Sequence, residues 1–417
     1  MILNFDNLVQ WVCNRCKTLD TWQKRRRIFD TQLVLFQLLK IVADLNGAGH
    51  AVVLSQSAVS FCDAPRQTSP SAFHAARYKV GWGILKKIFI EMIQLIDQGF
   101  ADSYRWQGYR LFAIDGSKIT LPPELKSAKY PSVSRNALYP MGLLTTLYRL
   151  KLNLPYDFIF SRHANEIKNA VKLIHKLGEN DIVIYDRYFI SQALLRKHWE
   201  KGIQFVFRCK TKSSYAEITA FAASKETEAL VTFKSLANST QIRLVKYRID
   251  GKVYILATSL LDRSRYPIHA LKALYHKRWG VEEFYKTLKK SLLIEQFHAK
   301  KPLGIKQELI AGFIHYVMAR FLVLKAPSKQ KRRESQCKMK MALGISAALI
   351  TPNFYSNSPI VRNQRITLAL QLLMRNSTPI RPGRHFPRLS RKPNHQWQYR
   401  RKLYGTRKRQ ADQALPP

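Results

Sequence analysis

Tyr275, Arg278, Glu282 and Lys289 share one short stretch, YHKRWGVEEFYKTLKK at 275–290, with the spacing Tyr-x2-Arg-x3-Glu-x6-Lys. A carboxylate among two cations and a phenol can help hold a divalent cation while gripping the phosphates beside it. At roughly 100° per residue, an α-helix returns these four residues to one stripe about 60° wide. Leu274, Val281, Phe284, Leu288 and Leu292 fall on a neighbouring stripe, the kind of face that packs on a core. The plainer alternative is a solvated face carrying helix-spaced ion pairs such as Glu282 with Lys286.

Two further carboxylates upstream follow short apolar runs. In YRLFAIDGSKITLP (109–122), the apolar run 111–114 predicts a buried strand closed at Asp115, with Gly116 permitting a sharp turn. In NDIVIYDRYFIS (180–191), the run 182–185 predicts a second strand ending on Asp186. In open α/β sheets functional groups gather at the carboxyl ends of strands, so both acids could converge there. Each alone is an ordinary strand-to-turn signal. All three acids lack a His or Cys partner, which favours Mg2+ or Mn2+ over zinc. Two such ions about 3.5–4 Å apart could activate water or a 3′-hydroxyl for phosphoryl displacement.

The Tyr-Arg-Glu-Lys pattern resembles the signature of bacterial insertion-sequence DDE transposases of the insertion-sequence-four type. The resemblance spans roughly residues 69–300. Asp-Arg-Tyr-Phe at 186–189 is similar to the family's second block, with Tyr188 where Gly is common. Ser71, Ala72, Phe73, Ala76 and Arg77 resemble a block that many members carry before the catalytic core. The resemblance implies cut-and-paste transposition by a ribonuclease-H-like core, with Asp115, Asp186 and Glu282 as catalytic metal ligands. It implies phosphate contacts from Tyr275, Arg278, Lys286 and Lys289. The implied partners are double-stranded DNA, as terminal inverted repeats and target, and a second copy in the synaptic complex. Where family members cleave through a hairpin, a flipped base needs an aromatic; Trp279 and Trp199 are the candidates, with core packing as their other reading. A nuclease of the same fold and a silent DNA-binding derivative are the competing readings.

The elements that must position these residues follow an α/β order. Residues 1–105 are expected as a helical, DNA-binding N-terminal domain, with KRRR at 24–27, a helix capped by Asp30 or Thr31, and one at 69–100 capped by Ser71. Residues 106–325 are expected as the core: strands at 109–115, 139–150, 155–161 and 182–186, and helices at 164–178 and 190–201. The 96 residues from Asp186 to Glu282 exceed what a minimal core needs, and 203–262 is strand-rich, with an Asp250-Gly251 hairpin signal. A β-rich insertion is therefore expected there. From 329 onward 20 Lys and Arg face two Asp and Glu, so 326–417 is expected as a basic region with one helix near 361–376 and a tail disordered from about 377.

Composition agrees. Seventy Lys and Arg against 27 Asp and Glu give +43 over 417 residues, a field suited to a polyanion. No secretory signal or run of roughly 18 apolar residues is seen, so no membrane contact is expected, and the resemblance implies a bacterial cytoplasmic, nucleoid-associated protein. Five scattered cysteines fit a reducing compartment, and Cys13-x-x-Cys16 is read as two buried thiols rather than zinc ligands.

Overall fold

The apolar runs 111–114 and 182–185 are buried on both faces and lie side by side as parallel strands, as near-continuous hydrophobic strands do. The computed structural model describes residues 4–20, 29–44, 52–56, 69–100, 103–132, 137–233, 241–326, 335–355 and 358–379. First come α1 (Phe5–Thr18), α2 (Thr31–Ala43), α3 (Pro70–Arg77) and α4 (Trp82–Gly99). The central series is β1 (Arg110–Thr120), β2 (Met141–Arg149), β3 (Leu154–Ser161), α5 (Glu166–Leu173), β4 (Asp181–Tyr185), α6 (Gln192–Glu200) and β5 (Gln204–Cys209). Next are α7 (Ala216–Ala223), β6 (Glu228–Thr232), β7 (Gln241–Ile249) and β8 (Lys252–Thr258). The chain continues through α8 (Ile268–His276), α9 (Trp279–Lys290), α10 (Pro302–Lys325), α11 (Met339–Tyr355) and α12 (Pro359–Arg375).

These strands form one eight-stranded sheet in the order β3-β2-β1-β4-β5-β8-β7-β6. β1, β4 and β5 run parallel, and every other pairing is antiparallel. Side chains of alternate residues enter two cores. Leu111 and Ala113 face a large core shared with helices from both chain ends, whereas Phe112 and Ile114 face a smaller one under α5, α6 and α7. β5 pairs parallel with β4, so it belongs to the central parallel set. The antiparallel strands β8, β7 and β6 then extend the same sheet rather than building a separate one, which corrects the expected span 203–262. Asp250 and Gly251 both take positive φ, 48° and 75°, as a two-residue hairpin turn of the favoured hand requires.

Other expectations shift for local reasons. The helix expected over 69–100 is divided between α3 and α4, and its cap is Ser69, not Ser71. Ser69 accepts from Ala72 N at 3.1 Å, and Pro70, which suits the first helical position, fixes the start there. The basic region holds two helices instead of one, packed against α1 and α2, with Arg362 Nε on Asp6 Oδ1 at 2.8 Å. Cys13 and Cys16 are buried on α1, and burial pushes the Cys13 thiol up to about 12. The basic run 24–27 and the tail beyond 379 lie outside the described residues.

α10 is buried on nearly every side. Its 24 residues have a window of mean hydropathy 1.3, long and apolar enough to cross a membrane, which the sequence reading overlooked. That window is 83% buried inside the protein, as a central core helix would be. Arg77, fully buried on α3, reaches α10 through Glu308 Oε1 (3.1 Å), Gln307 Oε1 (3.1 Å) and the Gly304 carbonyl (3.1 Å). Phe73 and Arg77 of the pre-core block are thus core residues rather than surface ones. Arg77→Ala strands the Glu308 carboxylate in the interior, a loss of roughly 3–5 kcal/mol. Circular dichroism melting should show a clearly lower midpoint, and an unchanged midpoint would contradict this anchoring.

Candidate active site

Asp115 and Asp186 come together because of strand register. The last paired residues of β1 and β4 are Ile114 and Tyr185, so Asp115 continues β1 and Asp186 is the first residue past β4, at the same end of two strands spaced about 4.8 Å apart. Asp115 does not end its strand as expected. β1 runs on to Thr120, paired only with β2, where Asp115 lies opposite Thr146. Asp115 is an end residue only toward β4. Gly116 makes no turn, and its φ is not positive. Its missing side chain leaves room instead: a Cβ there would stand 2.6 Å from Glu166 Oε1.

The expected single helix over 275–290 is two helices. Tyr275 lies in the last turn of α8, and Glu282 in the first turn of α9. Between them the hydrogen bonds tighten to three-residue spacing: Lys277 N to Leu274 O (3.1 Å), Arg278 N to Tyr275 O (3.0 Å) and Gly280 N to Lys277 O (3.1 Å). Gly280 sits where a Cβ would meet Asn153 Oδ1 at 3.4 Å, and glycine also weakens the helix locally by about 1 kcal/mol. The tight link re-aims the signature residues without scattering them.

Around the aspartates the order is cationic, phenolic and acidic. Arg278, only 8% exposed, places Nη1 3.7 Å from Asp115 Oδ2 and ion-pairs through Nη2 with Glu282 Oε1. Its Nε is buried without a hydrogen-bond partner. Tyr275 directs its hydroxyl at Asp186 Oδ1, 3.4 Å away, and Arg208 Nη1 lies 3.9 Å from the same oxygen. Burial pushes the Tyr275 phenol up to about 12, which keeps it a donor. Asp115 is pushed up to about 7, chiefly by burial, with Glu166 and Glu282 adding repulsion, while Arg278 and the Gly116 N–H oppose the rise.

Lys286 and Lys289 do not join this cluster. Lys286 pairs with Glu283 at 3.3 Å on the solvent side of α9, so the helix pair Glu282–Lys286 does not form. Lys289 donates to the Lys118 carbonyl at 2.6 Å and lies 3.6 Å from Glu295, tying α9 to the far half of β1. Trp199 packs edge-on against Phe205 beside the smaller core, whereas Trp279 is 40% exposed and donates to Glu283 Oε1 at 3.2 Å. Two contributors escaped the sequence reading. Tyr285 is buried on α9 and donates to the Asp115 carbonyl (2.7 Å), with the Leu144 carbonyl sharing the proton at 3.1 Å. Glu166 at the start of α5 adds a fourth acid; a capping Asn165 before an apolar stripe was its only sequence signal.

Asp115, Asp186 and Glu282 present oxygen donors alone, the chemistry of Mg2+, Mn2+ or Ca2+. Among the described residues no three His, Cys, Asp or Glu side chains are grouped tightly enough to hold an ion as they stand. The donor types fit a hard cation. The Arg278 guanidinium balances Asp115 and Glu282 in this arrangement.

Comparison with known proteins matches the transposase DDE domain family model to residues 106–318. The chain is 26% identical over 279 residues to "Transposase InsG for insertion sequence element IS4" of Escherichia coli (strain K12), covering 62% of each. It is 30% identical over 141 residues to "Putative transposase InsZ" of the same organism, covering 32% of this chain and 46% of the relative. The matches thus span about three-fifths and one-half of these curated relatives' lengths. A solved piggyBac transposase synaptic complex with hairpin DNA aligns over 87% of this chain and 81% of its own at 13% identity, with a TM-score of 0.42, too low to carry an argument.

A cation held by Asp115 would compete with a proton for the same oxygens below about 7. Mn2+ affinity of the DNA-free protein, measured by calorimetry, should be roughly eightfold weaker at pH 6 than at pH 7.5. Equal affinities would contradict the assignment of Asp115 as a cation ligand.

Proposed function

The chain belongs to the transposase DDE domain family, and from that premise we propose that it is a DNA transposase. It would cut an insertion sequence at its terminal inverted repeats and join the freed ends to target DNA. The observation that carries this reading is the register that sets Asp115 beside Asp186, with Arg278 linking Asp115 to Glu282 across from them. The family generally implies divalent metal use, and we assign two Mg2+ or Mn2+ ions to Asp115, Asp186 and Glu282. When bound, such ions supply Lewis acidity toward the phosphate and lower the pKa of an attacking water or 3′-hydroxyl.

The protein's own side chains do the positioning. The Arg278 Nε–H, buried without a partner, is a costly group to leave unpaired, and a phosphate oxygen is the acceptor it suits. Tyr275 would donate to a neighbouring phosphate oxygen. Lys286 and Lys289, further along α9, would contact the DNA backbone flanking the cut, Lys289 by exchanging the Lys118 carbonyl for a phosphate. The net +43 draws the whole chain to DNA and carries no sequence preference.

The strand order β3-β2-β1-β4-β5, with only β2 opposed to its neighbours, supports a ribonuclease-H-like core within 106–325. In this reading α7 and β6–β8 are the insertion, and residues 1–105 with the basic region 326–417 add DNA contacts. Two copies would pair the element ends, in a bacterial cell close to the chromosome.

The test uses a duplex made from the inverted repeats flanking the gene. Glu282→Gln keeps the shape but removes a ligand charge, so nicking in Mg2+ should vanish while end binding remains. Lys289→Ala should bind with a salt slope shallower by about one unit yet still cut at low salt. Calcium should support binding without cleavage, because its loose geometry seldom serves in-line displacement. Glu282→Gln cutting at the parental rate would overturn the assignment. Cutting by the parent without strand transfer to a second duplex would favour the nuclease reading.

A further inference from the structure

The turn that follows Asp186 is pinned at both ends and open at its tip. Tyr185 is fully buried and stacked on Phe207 of β5, with ring centroids 4.4 Å apart. Phe189 lies in the same smaller core, its ring 5.6 Å from that of Tyr185, and its N–H donates to the Asp186 carbonyl at 3.2 Å. Ser191 then caps α6 by accepting from Leu194 N. Arg187 and Tyr188, between the two buried rings, are both exposed. At 59%, Tyr188 is the most exposed tyrosine, tryptophan or phenylalanine among the described residues.

Cations gather on this ring without an acid to hold them there. Lys210 Nζ stands 4.3 Å from the Tyr188 ring centroid, and the Arg187 guanidinium carbon 5.2 Å. Lys210 is the first residue past β5, which pairs in parallel with β4, so it leaves the sheet at the same end as Asp186. Arg208, two residues earlier, lies 3.9 Å from Asp186 Oδ1. Among the described residues Arg187 and Lys210 make no ion pair or hydrogen bond, and the Tyr188 hydroxyl makes no hydrogen bond.

Two cations sharing one ring repel each other, and a polyanion relieves that repulsion. The ring adds a second chemistry, since a base of any identity stacks on an aromatic face. Along a duplex the bases cover one another's faces, so an exposed ring suits unpaired nucleotides. A stacked base outweighs an exposed cation–π contact, so it can take a face of the ring from Lys210 and free the lysine for the next phosphate.

We propose that Tyr188, Arg187 and Lys210 form a platform for single-stranded DNA beside Asp186. The ring stacks an unpaired base, and the two cations take the phosphates on either side of it. This rests on the reading that the chain acts on DNA at Asp186, where cutting releases strand ends. It does not depend on which residues hold a cation.

Fluorescence anisotropy of the full-length protein in chelator tests this, with a labelled oligothymidylate and a duplex of the same length as probes. Tyr188→Ala should weaken oligothymidylate binding about tenfold and leave duplex binding at the parental value. Tyr188→Phe should bind both probes as the parent does, because the ring is kept. Lys210→Ala should make the salt slope on oligothymidylate shallower by roughly 0.7 of a unit. Parental oligothymidylate affinity in Tyr188→Ala overturns the proposal, as does an equal loss on the duplex, which would point to the fold or the general charge instead of stacking. A parent that binds no oligothymidylate, or an unchanged salt slope in Lys210→Ala, also overturns it. Cutting of terminal-repeat duplex by the parent in Mg2+, measured separately, keeps the transposase reading whichever way the binding falls.

Discussion

Like charges at the carboxyl ends of adjacent strands are the constraint on which this molecule turns. Strand register sets Asp115 and Asp186 one step past the last paired residues of neighbouring strands. Burial raises the Asp115 carboxyl, and the charges of Glu166 and Glu282 raise it further. The Arg278 guanidinium, buried, bridges Asp115 to Glu282 and supplies the counter-charge to both. A guanidinium also suits a phosphate, so in the proposed function one side chain would answer to both partners.

The rest of the architecture holds that conflict in place. Tyr285 fastens α9 to the carbonyl of Asp115 itself, so the helix bearing Glu282 cannot drift from the strand bearing its partner. Lys289 and Glu295 fasten the far end, Glu295 accepting from Thr120 N at 2.8 Å. Behind the sheet, α10 is buried nearly throughout and joined to α3 by Arg77, so the helices before and after the sheet pack as one support. On the other face Asn169 fixes α5 to β2. Each tie joins residues far apart in sequence.

That distance explains what was legible beforehand. The runs 111–114 and 182–185 declared buried strands, Asp250-Gly251 declared a hairpin, and the signature spacing pointed to Tyr275, Arg278 and Glu282 beside the aspartates, while its Lys289 lies apart on the Lys118 carbonyl. These are local signals, readable from period and turn chemistry. The continuation of β1 past Asp115 was not readable, since its second half is held by β2 rather than by an apolar run of its own. Gly116 read as a turn because the side chain needing its space lies 50 residues away. The break between α8 and α9 shows as three-residue hydrogen bonding from Lys277 to Gly280, which the apolar spacing does not announce. The single sheet including β6–β8 depended on which edge β8 would choose, and no residue pattern announces that choice.

The central claim is that the ends of β1 and β4 form a divalent-cation site for phosphoryl chemistry. Anomalous diffraction from crystals of the protein with its terminal-repeat DNA and Mn2+ would test it most directly. A manganese peak between Asp115 and Asp186, with the Arg278 guanidinium turned from Glu282 to a phosphate, is the expected result. Manganese elsewhere, with Arg278 still bridging Asp115 and Glu282 beside bound DNA, would contradict the account.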